Sequence, residues 1–166
     1  MADKNGVGVT VISHDSENRT LVDGCDPQGC YTRYITYTGA SLSPLASLAN
    51  VSTHCEQFIK YECFGSLMFM NKNLHAWWVS RDSAKMTYWG GAQPGSDKCA
   101  CGMNSSCANP EQPCNCDEND LVWREDSGLL SDKTHLPVIQ LRFGDTEQNS
   151  EEGYHTLGKF KCYGIA

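Results

Sequence analysis

The sequence has few basic residues and no long apolar run, and both deficits restrict what the chain can do. Lys and Arg number 13 against 20 Asp and Glu, which gives a formal net charge of −7. Nucleic acids and anionic membrane surfaces favour basic patches, so neither is expected as a partner. No apolar run approaches the ~20 residues that span a bilayer. We therefore expect no direct membrane insertion by this segment.

The first residues also lack the features of a signal peptide. The stretch "MADKNGVGV" has neither a basic start nor an apolar core. We expect the chain to be a segment of a longer secreted or membrane-anchored protein, with the signal and any anchor elsewhere.

Common catalytic and phosphate-binding motifs are missing as well. The sequence contains no G-x-S-x-G elbow and no G-x-x-x-x-G-K-[ST] or G-x-G-x-x-G loop. His54 adjoins Cys55, but a cysteine held in a disulfide cannot act as a nucleophile. We predict that the chain is not an enzyme, has no catalytic residues and requires no cofactor.

Cysteine, in contrast, is abundant, with ten in 166 residues. The cytosol keeps thiols reduced, so a high and even count predicts disulfides and an oxidising compartment. Zinc, the alternative for paired thiolates, fits poorly because each C-x-C pair has one intervening residue instead of two to four. We expect an extracellular protein in which all the cysteines form disulfides: Cys25, Cys30, Cys55, Cys63, Cys99, Cys101, Cys107, Cys114, Cys116 and Cys162.

Three glycosylation sequons agree with an extracellular location, either as a secreted protein or as an ectodomain. They begin at Asn18, Asn50 and Asn104, each followed at the third position by Ser or Thr. These asparagines lie in polar, loop-like settings, where N-linked glycans are attached. The sequence therefore predicts a glycoprotein.

A length of 166 residues predicts one domain, spanning residues 1–166. Strands are predicted in "VGVTVISHD", "YTRYITYTG", "EQFIKYECFGSLMFM", "HAWWVSRD", "KMTYWGG", "LPVIQLRFGD" and "HTLGKFKCYG". Ser43 as N-cap and Pro44 as the first helical residue predict a helix from about Pro44 to about Asn50. Residues 91–120 show no periodicity and hold five cysteines. They are predicted to form a disulfide-stapled, loop-rich lobe.

Some cysteine pairs follow from proximity in the sequence. Cys25 and Cys30 are close enough to clasp one loop, and Cys55 and Cys63 are expected to close another. Cys162 is then expected to pair back into the lobe. The connectivity of the remaining cysteines stays open.

An acidic segment, "CDENDLVWREDSG", is the candidate metal site. Asp117, Glu118, Asn119 and Asp120 offer the hard oxygen ligands that calcium prefers, and two more carboxylates follow. The spacing and the glycine of an EF-hand are absent. Calcium is an optional ligand in this interpretation, and a solvated acidic loop is the simpler one.

Four aromatic residues are the candidate binding surface. Trp77 and Trp78 are neighbours in a predicted strand, so their side chains should point to opposite faces. Tyr88 and Trp89 repeat this arrangement on the next predicted strand. Large aromatics mostly supply core packing. We nevertheless hypothesise that the outward member of each pair forms an exposed platform for a partner.

A series of motifs in fixed order resembles a known family. "HCEQFIKYEC", "WWV", "YWGGAQPG", "CACG", "CNCD", "WREDSGLL", "HLPV" and "GDT" closely resemble the fibrinogen-like domain of the contactin-associated protein (Caspr, neurexin-IV) family. The resemblance covers roughly Tyr31 to Tyr163. It implies an α+β, fibrinogen-like fold, with a twisted, mainly antiparallel sheet and short helices. The pair Cys25 and Cys30 is additional to the family pattern, and the calcium loop of fibrinogen-related lectins has no clear counterpart.

The same resemblance implies a function. It suggests a non-catalytic, extracellular interaction module of a cell-adhesion or matrix protein, with a cell-surface or matrix protein as its partner. The alternative is a calcium-dependent carbohydrate-recognition (lectin-like) domain, which would bind a glycan in a shallow polar pocket near Asp117–Asp120. An architectural spacer without a partner of its own is a third interpretation.

Overall fold

The computed structural model describes residues 2–4, 7–22, 24–147 and 150–164. One α-helix, α1, spans Leu42–Val51, and short 3-10 helices span Met70–Lys72, Ala100–Met103 and Cys116–Glu118. The strands, in chain order, are β1 Ala2–Lys4, β2 Val7–Ile12, β3 Thr20–Leu21, β4 Tyr31–Tyr34, β5 His54–Phe64, β6 Trp77–Val79, β7 Lys85–Met86, β8 Arg124–Leu130, β9 Gln140–Phe143, β10 Glu152–Leu157 and β11 Phe160–Tyr163.

The strands form two antiparallel sheets. The larger has seven strands in the order β1-β2-β11-β5-β10-β3, with β8 also paired to β5; the smaller has the order β4-β9-β6-β7. Ile59 pairs with Leu157 of β10 and with Gly128 of β8, so β5 is central to the larger sheet. This architecture confirms the expectation of a mainly antiparallel, sheet-rich fold with one α-helix.

Alternation along β5 creates the core. Its residues Cys55, Gln57, Ile59, Tyr61 and Cys63 are buried, because successive side chains of a strand point to opposite faces. Tyr61 stacks on Phe143 of the smaller sheet at 4.3 Å between ring centroids. The core therefore lies between the two sheets.

The α-helix is longer than predicted. Ser41, not Ser43, is the N-cap residue, so Pro44 occupies the third helical position. A proline is tolerated there because the first-turn N–H groups have no partner within the helix. Leu45 and Ala49 are the buried residues of the helix, one turn apart, and they attach it to the core.

Other segments also differ from their predicted secondary structure, and β7 covers only the first two residues of the predicted strand "KMTYWGG". The segment "HTLGKFKCYG" contributes to two strands, β10 and β11, instead of one. The segment expected to be a solvated acidic loop contains strand β8, in which Asp126 is buried. Polar residues on a strand that is buried on one face conceal the period-two signal.

Residues 91–120 contain no strand and two of the 3-10 helices, as expected for a loop-rich lobe. Two disulfides, Cys99–Cys114 and Cys101–Cys107, lie within it. These cross-links replace the hydrophobic packing that an irregular segment cannot supply.

All ten cysteines form disulfides, and Cys25 pairs with Cys30 as predicted. The predicted pair Cys55 and Cys63 is wrong. Both lie on β5 eight residues apart, which separates them by about 26 Å at ~3.3 Å per residue, far beyond disulfide reach. Cys55 instead bonds Cys162, and Cys63 bonds Cys116. The lobe is thus tied to the central strand through Cys63 and not through Cys162.

Candidate protein-interaction surface

The two tryptophans of the first predicted pair point to opposite faces of β6, as predicted, but the outward one is not an exposed platform. Trp78 is fully buried and its indole N–H donates to the backbone oxygen of Tyr88 at 2.7 Å. Trp77, on the opposite face, is only partly buried. The Lys85 ammonium lies 3.8 Å from the Trp77 ring centroid, and the Gly29 turn closes over the ring so tightly that a Cβ at Gly29 would overlap it. Trp77 is therefore covered by its own chain.

The second pair contradicts the platform hypothesis. Tyr88 and Trp89 are both buried. The Trp89 indole donates to the backbone oxygen of Asp126 at 3.0 Å, and the Tyr88 hydroxyl lies 2.8 Å from Nδ1 of His135. Strand β7 ends at Met86, so the two residues lie beyond the region where strand alternation applies.

A different apolar surface is exposed, on the outer side of the larger sheet. Phe64 ends β5, and its ring centroid is 5.4 Å from that of Trp123. Trp123 in turn lies 5.8 Å from Tyr154 of β10, and Tyr154 pairs with Leu21 of β3. We call this set the Trp123 surface; its members are Leu21, Phe64, Leu121, Val122, Trp123 and Tyr154.

Exposure distinguishes the Trp123 surface from the core. The exposed fractions are 49% for Leu21, 64% for Leu121, 50% for Val122 and 47% for Trp123. A run of three exposed apolar residues is unusual on a soluble protein unless it has a function. Large apolar side chains grouped in this way mark interaction sites.

Charged residues surround the Trp123 surface and pair with one another. Arg19 bonds Glu62 at 2.8 Å, and its guanidinium carbon lies 3.5 Å from the Tyr154 ring centroid. Arg124 bonds Asp120, and hydrogen bonding to this arginine lowers the pKa of the Asp120 carboxyl. The side chains of Arg19, Glu62, Trp123, Arg124 and Glu125 line an open groove of about 460 Å³. An apolar centre with a charged rim is the usual anatomy of a protein interface.

Sequence reasoning missed this surface, although a signal was present. Leu121, Val122 and Trp123 follow one another inside the acidic segment. The carboxylates on either side of them are the residues that a calcium site would use. Three consecutive apolar residues between acidic ones were the available clue.

Two of the four predicted calcium ligands, Asp117 and Asp120, bind different partners within the protein. The Asp117 carboxylate accepts backbone N–H groups from Met68 and Phe69 at 2.8 and 3.1 Å. The Asp120 carboxylate receives both its hydrogen bonds from Arg124. In the part of the chain that the structure describes, three or more candidate ligand atoms meet at two places, and neither includes residues 117–120. Calcium binding by this set stays a prediction without a converging geometry.

Two buried carboxylates organise the lobe instead. Asp126 accepts the backbone N–H groups of Asn115 and Cys116, each at 2.9 Å. Burial raises the pKa of Asp117 and of Asp126 to about 6, against the lowering effect of these hydrogen bonds. Asp117 contacts the segment that follows Cys63, and Asp126 contacts the segment that contains Cys116. The two carboxylates therefore reinforce the Cys63–Cys116 disulfide, which attaches the lobe to β5.

A separate carboxylate cluster comprises Asp26, Asp145 and Glu151, whose oxygens lie within 4.8 Å of one another. Burial, reinforced by the charge of Glu151, raises the pKa of Asp145 to about 6. Asp145 also accepts the backbone N–H of Leu67 at 2.9 Å, so this cluster has a structural contact of its own.

All three predicted glycosylation sites are exposed. The Asn50 side-chain oxygen accepts from Arg81 at 3.3 Å, and the Asn104 oxygen accepts from Ser106 of its own sequon at 2.6 Å. Asn18 immediately precedes Arg19, which lies on the rim of the Trp123 surface.

The chain is similar in sequence to segments of much longer proteins. No family model matches the chain. Contactin-associated protein 1 from Rattus norvegicus is 40% identical over 157 residues, which cover 93% of this chain and 11% of the relative. Neurexin-4 from Drosophila melanogaster is 39% identical over 168 residues, covering 96% of the chain and 13% of the relative. None of the helices in the described residues is long and apolar enough to cross a membrane. The chain, which spans about a tenth of the length of these relatives, is homologous to a segment of Contactin-associated protein 1 and of Neurexin-4.

Proposed function

We propose that the chain is an extracellular, non-catalytic interaction module of a cell-adhesion or matrix protein, with a fibrinogen-like fold, and that it binds a cell-surface or matrix protein through the Trp123 surface. The observation that carries the proposal is this group of apolar side chains, in which Leu21, Leu121, Val122 and Trp123 are exposed and the Trp123 ring contacts Phe64 and Tyr154. The homology to segments of the two relatives supports it, as do the five disulfides, which fit an extracellular location.

The chemistry of the Trp123 surface suits a protein partner. Tryptophan is the residue type most enriched at energetically dominant interface positions, because it buries a large rigid area at low entropic cost. The rim charges already form internal ion pairs, Arg19 with Glu62 and Arg124 with Asp120. A partner can therefore cover the apolar centre without leaving a rim charge unpaired.

The names of the relatives suggest the first partner to test. Contactin-associated protein 1 is named for its association with contactin. A contactin ectodomain, immobilised for biolayer interferometry, is therefore the probe. The analyte is the disulfide-intact chain secreted from eukaryotic cells.

The decisive variant is Trp123→Ala, and Tyr34→Ala is the matched control. Tyr34 is 71% exposed on β4 of the smaller sheet, so Tyr34→Ala removes a surface aromatic at a different site. We expect Trp123→Ala to weaken binding about 30-fold, the effect of losing ~2 kcal/mol at an interface hot spot, while Tyr34→Ala binds like the unchanged chain. Equal affinities for all three proteins would contradict the proposed surface. Binding that EDTA abolishes and Trp123→Ala preserves would support the calcium-dependent alternative.

A further inference from the structure

We propose that an N-linked glycan on Asn18 lies over the Trp123 surface and controls access to it. This inference rests on the proposed function, because the access that the glycan controls is that of the protein partner. The shielding itself can be measured without any partner.

Asn18 is held next to the surface by its neighbours. The Arg19 side chain is fixed by the Tyr154 ring at 3.5 Å and by Glu62 at 2.8 Å. Thr20 pairs with His155 in the larger sheet. The Cα atom of Asn18 is only about 3.8 Å from that of Arg19. This distance is shorter than the length of the first two sugars of an N-linked glycan. A glycan attached here starts at the rim of the Trp123 surface.

The Asn18 side chain is available for modification. It is exposed, and it makes no hydrogen bond to any other described residue. In the two other sequons, the Asn50 and Asn104 oxygens accept hydrogen bonds from Arg81 and Ser106, which lie outside the Trp123 surface. Those two sites therefore serve as internal comparisons.

The attachment is a group transfer from a lipid-linked oligosaccharide. Nδ2 of Asn18 attacks the anomeric carbon of the first sugar. The bond from that carbon to the pyrophosphate oxygen breaks, and an N–C bond forms. The amide nitrogen loses one proton, and the lipid pyrophosphate leaves.

The groove at the rim matches the chemistry of a sugar. N-acetylglucosamine presents an apolar C–H face, which is attracted to the electron-rich face of an aromatic ring, and polar groups at its edges. Trp123 supplies an aromatic ring, while Arg19, Glu62, Arg124 and Glu125 line the remainder of the groove. Because the glycan is tethered, its effective concentration at the groove is high even where each contact is weak. A protein partner has to displace it.

The test is acrylamide quenching of tryptophan fluorescence on the secreted, glycosylated chain. Trp78 and Trp89 are fully buried and Trp77 is covered, so Trp123 is the most accessible of these indoles. The fluorescence lost in Trp123→Phe gives the contribution of Trp123 to the total tryptophan fluorescence. Asn18→Gln and Thr20→Ala remove the sequon, whereas Thr20→Ser keeps it and controls for the change in strand β3. Asn104→Gln removes a different glycan.

We expect the quenching constant of the Trp123 component to rise about twofold in Asn18→Gln and Thr20→Ala, since a stacked sugar closes the exposed side of the ring. Thr20→Ser and Asn104→Gln should quench like the unchanged chain. Trimming with endoglycosidase H to a single N-acetylglucosamine should retain most of the protection if the first sugar stacks on the ring.

Two results would overturn the inference: intact-mass and glycopeptide spectra showing Asn18 unmodified, or equal quenching with and without the sequon. Either result leaves the contactin binding assay, and with it the proposed function, untouched. Conversely, altered quenching together with unchanged binding of Trp123→Ala would refute the proposed function and leave the shielding standing.

Discussion

Asp117 provides a sharp test of how the lobe is held to the sheet. Its carboxylate is buried and accepts the backbone N–H groups of Met68 and Phe69, whose residues are themselves buried. In Asp117→Ala both amides lose their acceptor at a site that is only 1% exposed. Leaving a buried donor unsatisfied costs about 1–3 kcal/mol each, so we expect a loss of about 4 kcal/mol in the free energy of unfolding.

Asp117→Asn separates the role of the oxygen from that of the charge. Both amides already contact Oδ1, and the asparagine keeps one such oxygen. It also removes a negative charge from a buried site. We expect its free energy of unfolding to lie within about 1 kcal/mol of the unchanged protein at pH 7.

The pH dependence supplies a second signature of the same residue. Burial raises the pKa of Asp117 to about 6, above the ordinary 3.8. The folded protein therefore binds this proton more tightly than the unfolded chain does. The resulting stabilisation is complete below about pH 3.8 and is lost as the pH rises through about 6. Asp117→Asn should lack it.

Urea unfolding with the disulfides intact, followed by tryptophan fluorescence at pH 7 and pH 4, measures these differences. Asp120→Ala is the control from the same segment, because its partner Arg124 is a surface residue and exposed ion pairs contribute little. Equal destabilisation by Asp117→Ala and Asp117→Asn would refute the reasoning, since it would show that the charge and not the acceptor matters.

Three other outcomes follow from the structure. Gly128→Ala should lower Tm by about 2–12 °C in calorimetry, because the new Cβ overlaps the backbone of Gly90 and relieving such overpacking costs about 1–3 kcal/mol; an unchanged Tm would contradict the close approach. Burial lowers the pKa of His155 to about 4, so its ring signals in NMR should stay constant from pH 8 to pH 5. Stability should then decline as the pH falls from 6.5 towards 4, where the unfolded chain alone gains this proton; a ring that titrates near pH 6.5 would disprove its burial. Replacing Cys55 and Cys162 together by serine should cost about 5 kcal/mol in denaturant unfolding, because that disulfide closes a loop with a sequence separation of 107; a loss under 1 kcal/mol would show that the unfolded chain is not constrained by this loop.

Local patterns predicted the elements whose side chains obey a simple period. The apolar run that forms most of β5 and the opposite orientations of Trp77 and Trp78 were both predicted from the sequence, although the alternation along β5 that leaves Phe58 and Phe64 only partly buried was not. Strand β8 was not, because it carries a buried acid, Asp126, where an apolar residue is expected. Its carboxylate accepts hydrogen bonds from the backbone amides of Asn115 and Cys116 in the lobe, and hydrophobic periodicity does not report such a contact.

Cysteine pairing was only partly predictable for a related reason. Cys25 and Cys30 are neighbours in one turn, so proximity in sequence was sufficient. Cys55 and Cys63 are also near each other in the sequence, but a single continuous strand holds them apart. Recognising that both belong to β5 was the missing step, since the geometry of a strand then excludes the bond.

The candidate site was the least predictable feature. Trp89 was expected to alternate with Tyr88, but the strand ends first and both rings turn inward. Trp123 lies among acidic residues with no periodic context. Its exposure depends on the positions of Phe64 and Tyr154 in the folded protein. A single sequence does not reveal those positions.

The pairing of β2 with β11 determines how the molecule responds to tension. These strands are antiparallel, with Val9 opposite Tyr163, so a pull between the start of β2 and the end of β11 separates their hydrogen bonds pair by pair instead of shearing them together. On the C-terminal side the separation stops at Cys162, which is covalently joined to Cys55 of the central strand. Under load, β1 and β2 would peel away first, while β5 and the Trp123 surface would be spared.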